Sequence, residues 1–105
     1  MAQFTVYRNK NARSKVIFPL LVDVQAELLD DLQTRVVIPL TRAAALTKKP
    51  VDRLMPILKL EDEAYVLMTP QLAGIASKEL GAASGTLAEH RDVILAAMDF
   101  LLTGF

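Results

Sequence analysis

The sequence has no cysteine and no tryptophan, one histidine, four glycines and no net charge over its 105 residues. Without cysteine there is neither a disulfide framework nor a thiolate metal site. A lone histidine, His90, is no nucleus for a metal centre. Twelve basic residues balance twelve acidic ones, so the chain lacks the broad positive field on which direct nucleic-acid binding relies. Long hydrophobic runs are missing too: the longest nearly uncharged stretch, Val93 to Phe105, contains Asp99 and falls short of the roughly 20 apolar residues of a membrane span. It reads as a buried or interface helix, with no membrane partner. The first residues lack the apolar stretch of a signal peptide, so a cytoplasmic location is expected. There is no glycine-rich phosphate loop and no nucleophile elbow around Ser14, Ser77 or Ser84.

What is present suits one domain of ordinary size with apolar surface to spare, since the hydrophobic fraction is 52%. That surplus predicts a homo-oligomer. Charge is distributed unevenly: residues 1–53 carry a net +4 and residues 54–105 a net −4. A basic N-terminal half could attract an acidic segment or nucleic acid.

Phe4 and Val6 alternate with Gln3, Thr5 and Tyr7, the period-2 pattern of a half-buried strand. Arg8 to Lys15 holds four positive charges between apolar segments and predicts an exposed hairpin loop. Val16 to Gln25 reads as a strand, firmest over Leu20 to Gln25, with Pro19 at a bulge or edge. After the turn-like Asp30-Asp31 pair, Thr34 to Leu40 forms another strand with Pro39 near its end, and two strand prolines predict a strongly bent sheet. Residues 41–56 read as a mobile connection. Ile57 to Leu60 and Ala64 to Thr69 make a hairpin about the acidic triplet Glu61-Asp62-Glu63, to which no function is assigned. Glycines and Pro70 punctuate the stretch to residue 85, with Ile75 and Leu80 over the core. Thr86-Leu87-Ala88-Glu89 fits a capping box and predicts a helix from Leu87, with His90 in its first turn. Past residue 92 nearly the whole helix circumference is apolar, so it needs cover on more than one side, and a twin subunit supplies the second.

Taken in order, Gln3-Phe4-Thr5-Val6-Tyr7, Val22-Asp23-Val24-Gln25, Arg35-Val36-Val37-Ile38-Pro39-Leu40, Leu54 with Pro56, Met68-Thr69 and Gly104 resemble the CcdB family of bacterial toxins over nearly the whole chain. The resemblance implies a mainly β fold with a C-terminal α-helix: a strongly bent, SH3-barrel-like antiparallel sheet with a small accessory sheet. It implies a homodimer with Met98 and Leu101 at the two-fold interface, and neither cofactor nor catalytic residue. Members of the family poison DNA gyrase through its A subunit and are neutralised by a CcdA-type antitoxin with a disordered tail.

By that resemblance the gyrase-facing residues are Leu28, Leu29, Asp99, Leu102, Thr103, Gly104 and Phe105. The basic residues Arg8, Lys10, Arg13, Lys15, Arg42, Lys48 and Lys49 are the expected antitoxin contacts, on charge as well as analogy. Thr103 departs from the family pattern, which has tryptophan there. Loss of an aromatic anchor removes a hot spot worth about 2–4 kcal/mol, leaving open a weaker or different target, or compensation by Phe105. A second class is an endoribonuclease, since the fold resembles that of mRNA-cleaving toxins; Arg35 or Arg42 with His90 would then be phosphate clamp and acid-base pair.

Overall fold

The computed structural model describes residues 2–29 and 31–104. Those residues form β1 (Thr5–Asn9), β2 (Leu20–Asp23), β3 (Thr34–Arg42), β4 (Ile57–Leu60), β5 (Glu63–Leu67), β6 (Ala73–Ala76) and β7 (Leu80–Thr86), followed by α1 (Arg91–Thr103). Every strand pair is antiparallel. The hydrogen-bonded path runs β4-β5-β3-β2-β1-β7, with β6 attached to β3 off that path. The expected mainly β fold with a bent sheet and a C-terminal helix is what the chain adopts, but the described strands all belong to one sheet, and instead of forming a separate accessory sheet β6 attaches to β3.

The bend has a local cause in β3. Its first half, Thr34 to Val37, pairs with β6, and its last residues, Leu40 to Arg42, pair with β5. Pro39 sits at the handover. Its carbonyl accepts a bond from Met68 on the β5 side, and a residue's N–H and C=O point to the same neighbour in a strand, so the donor that proline lacks falls in the gap between the two partners. The curl then brings the ends of the path together: a Cβ at Gly85 of β7 would meet Leu60 of β4 at 3.0 Å, and Gly85 adopts a φ of +155°. The backbone there favours glycine, and a side chain would also press on the Leu60 methyl.

Alternation along the strands divides the interior in two. Val6, Leu20, Val22, Ile38, Leu40, Leu58 and Leu67 face the concave side, where Ile94 and Ala97 of the helix, with Leu87 ahead of it, pack on them. Tyr7, Leu21, Val37 and Leu80 form a smaller cluster on the other side, joined by Ile75. Phe4 and Val6 are buried as the period-2 pattern requires, and so is Tyr7 on the opposite face. Ile75 and Leu80 lie over the core as read.

Several boundaries differ from the sequence reading. β2 spans only Leu20–Asp23 instead of Val16 to Gln25, with Val16 and Ile17 in the preceding turn, β3 runs on through Arg42, and residues 73–86 form two strands where only punctuation was legible. Arg8 and Asn9 belong to β1, so the basic loop is shorter. Residues 43–56 remain an irregular connection, yet Arg53 lies 4.8 Å over the Phe100 ring of α1, which ties it to the helix.

The capping-box expectation fails. The Thr86 hydroxyl accepts the N–H of Ala88, two residues on, and a 3-10 turn at Ala88–His90 precedes α1, which starts at Arg91 instead of Leu87. The short reach closes an ST turn, the competing use of a threonine hydroxyl. His90 is the residue before α1, not in its first turn, and its Nε2 lies 3.7 Å from Glu89.

Candidate functional site

After β2 the chain leaves the sheet and makes a 3-10 turn at Glu27–Leu29. Leu28 is 93% exposed and Leu29 48%; the adjacent aliphatic pair stands out of the surface and does not pack beneath its turn. Hydrogen bonds hold the turn. Leu29 N donates to the Ala26 carbonyl at 3.0 Å and Leu32 N to the Leu29 carbonyl at 3.2 Å. The Glu27 carboxylate accepts from Gln3 N at 3.2 Å, the Gln3 side chain donates to the Val24 carbonyl at 3.0 Å, and Arg91 donates to Gln3 Oε1 at 3.3 Å. The turn is therefore linked to the start of α1.

Asp99, Leu102, Thr103 and Gly104 lie towards the other end of that 13-residue helix, about 12–20 Å along its axis at 1.5 Å per residue. All four are exposed, Leu102 at 77%. The Thr103 hydroxyl donates back to the Asp99 carbonyl at 2.7 Å, a bond a tryptophan cannot make. Gly104 ends the helix in the left-handed region at φ +80°, its N–H on the Phe100 carbonyl at 2.9 Å, the usual task of glycine at a helix C-terminus. Phe105 lies outside the described residues. Of the two expected interface residues, Leu101 is 38% exposed, while Met98 is half-buried and packs against the main core.

All seven basic residues are exposed, and the Lys10 ammonium donates to the Lys78 carbonyl at 3.2 Å. Arg8 and Arg42 also line a cleft at the mouth of the curled sheet with Glu61, Asp62, Glu63 and Tyr65. Arg42 pairs with Glu63 at 2.9 Å, with half of each side chain in water, so the pair adds little stability. The acidic triplet thus tempers two of the expected antitoxin contacts, which its position in sequence did not disclose.

Burial in this cleft pushes the Tyr65 phenol above its ordinary value of 10.0, and the Glu63 carboxylate adds to the rise while Arg42 opposes it. A group whose pKa is higher folded than unfolded contributes stability that is complete below the unfolded value and disappears as pH rises through the folded one. Above about pH 10, the wild-type melting temperature is accordingly expected to fall more steeply than that of Tyr65→Phe, as thermal scans at stepped pH would measure.

The catalytic alternative loses one of its clamps. Arg35 is fully buried, with Nε 2.9 Å and Nη2 2.7 Å from Asp23 Oδ2, so it cannot present a guanidinium to a phosphate. Arg42 is held by Glu63. The buried polar residues between β2 and β3, Asp23, Gln25 and Arg35, are what sequence reasoning missed: a charged and an amide residue alternating with valines in a core strand was the signal available.

Elsewhere, Asn9, Phe18, Leu21, Val37, Pro39 and Ile75 line an open cleft of about 420 Å³ over the smaller cluster. No helix of the described residues is long and apolar enough to cross a membrane. Compared with known families, residues 3–104 match the model of the CcdB protein family, nearly the full length of the chain, and the chain belongs to that family.

Proposed function

We propose that this CcdB-family toxin acts by binding the A subunit of DNA gyrase and stabilising its cleaved-DNA state, with no chemistry of its own. The observation that carries this reading is the exposure of two apolar segments: Leu28 at 93% in the turn and Leu102 at 77% at the helix end. An adjacent exposed aliphatic pair and an exposed leucine at the helix end supply apolar surface of the kind an interface buries. Purified protein is expected to bind isolated gyrase A subunit in titration calorimetry, and to lose that binding when residues 102–104 are replaced by polar ones. Binding that survives those replacements would move the contact elsewhere.

A two-fold dimer completes the surface. Val93 and Leu101 of α1 are left partly exposed within one chain, and a second copy is the economical cover. Because Met98 already packs on the core, Leu101→Asp is the cleaner probe. It is expected to convert a dimer of about twice 11.6 kDa into folded monomer, since an unpaired carboxylate in an apolar interface costs several kcal/mol. Sedimentation at micromolar concentration distinguishes the two masses.

The antitoxin reading rests on charge. Reversing Arg8, Lys10, Arg13 and Lys15 together is expected to slow association with a CcdA-type antitoxin about tenfold at low salt, with the difference shrinking as salt is raised. Stopped-flow measurement across an ionic-strength series tests it.

A further inference from the structure

We propose that Gln25 is a positioning residue for the Leu28–Leu29 turn, anchored by the buried Asp23–Arg35 pair, so that this polar cluster sets the presentation of the exposed leucines. The functional consequence rests on the gyrase reading; the positioning itself does not.

The geometry follows from how β2 ends. Val24 makes the last main-chain bond across to β3, donating to the Val36 carbonyl at 3.0 Å. The chain then departs, and the next donor of β3, Val36 N–H, finds no main-chain carbonyl opposite. The Gln25 side chain supplies the acceptor: its Oε1 takes that N–H at 3.0 Å, while its Nε2 donates to the Leu29 carbonyl at 2.8 Å. Both ends of one amide are thus committed, which fixes its orientation, because only oxygen can accept from an N–H and only nitrogen can donate to a carbonyl. A single side chain 6% exposed replaces a strand bond on one side and holds the turn on the other.

Asp23 secures the base of this link. Its Oδ2 takes Arg35, and its Oδ1 accepts the backbone N–H of Gln25 at 3.0 Å. The carboxylate therefore joins the side chain of β3 to the residue at which the backbone turns outward. Buried, hydrogen-bonded polar links of this kind select one geometry where an apolar contact would tolerate several. Preorganisation of an exposed anchor spares its ordering cost on binding.

The absence of cysteine makes the test direct. A single Leu28→Cys change carries a nitroxide on a side chain that touches little, and its spectrum reports the mobility of the turn. The label is expected to be restricted in the otherwise wild-type chain and fast in Gln25→Met, while a control label at Lys59→Cys stays unchanged and far-UV circular dichroism stays native. An equally restricted label in Gln25→Met, or a fast label with Gln25 present, would overturn the proposal. Should Gln25→Met fail to fold, hydrogen exchange of the unaltered protein decides: the Val36 amide is expected to be protected like the ladder amides of β3, and rapid exchange would contradict the role given to Oε1. In the gyrase arm, Gln25→Met is expected to weaken A-subunit binding about tenfold, and to add no further loss in a Leu28→Ala/Leu29→Ala background. A loosened label with unchanged gyrase affinity would uphold the positioning and refute the part assigned to this turn in gyrase binding.

Discussion

Arg35→Met is expected to cost about 3–5 kcal/mol of stability, because it strands the Asp23 carboxylate in a site from which water is excluded. Both side chains are essentially without solvent contact, so neither can recover its hydration by a small movement. Against a total of about 5–15 kcal/mol for a domain, that is a large fraction. Urea titration would record it as a shift of the midpoint with little change in slope. The sign reverses when both partners go: Asp23→Leu/Arg35→Met is expected to recover most of the loss, since replacing a buried ion pair by apolar residues of similar volume is often neutral or stabilising. The double variant still lacks the carboxylate oxygen that holds Gln25 N–H. It is therefore expected to be stable yet impaired in presenting Leu28, separating the contribution of this cluster to folding from its contribution to binding.

The second large effect lies at the surface. Leu28→Asp/Leu29→Asp is expected to weaken gyrase binding by about 2–4 kcal/mol, or roughly 30-fold to nearly a thousand-fold. The melting temperature is expected to change little, because Leu28 contributes almost no buried area and exposed substitutions stay within about 0.5 kcal/mol. Thr103→Trp works in the opposite direction. It gives up the bond to the Asp99 carbonyl, a local tie at an exposed helix end, and adds a large aromatic surface beside Gly104. Tighter A-subunit binding is the expected result, read by calorimetry and by growth arrest at lower expression. A Thr103→Trp protein with unchanged affinity would mean that the helix end does not meet gyrase.

The elements legible in the sequence were those rich in strand formers between turn residues. The alternating start, the β-branched segments of β2 and β3, and the Ile57–Leu60 hairpin each contain the strand read from them. The exposed Leu28–Leu29 pair was legible too, as adjacent aliphatics in a polar stretch. Strands β6 and β7 were hidden because Ala73-Gly74-Ile75-Ala76 and Leu80-Gly81-Ala82-Ala83-Ser84-Gly85-Thr86 have low intrinsic β preference. They are strands because β3 and β1 offer edges to pair with, which only tertiary structure supplies. Local chemistry misled at the helix start, where Thr86 had two ways to use its hydroxyl and took the shorter one. The Asp23–Arg35 pair was beyond reach for a related reason: the partners stand on different strands, and their meeting depends on the β2–β3 register, in which Asp23 faces Val37. Arg35 in isolation looked like a phosphate ligand.

The central claim is tested most directly by incubating the purified protein with gyrase, supercoiled DNA and ATP, then denaturing and scoring linear DNA. Double-strand breaks that require both gyrase and the toxin, and that are lost with Leu28→Asp/Leu29→Asp, are the expected result. DNA left intact under those conditions, together with cleavage of messenger RNA by the protein alone, would contradict it.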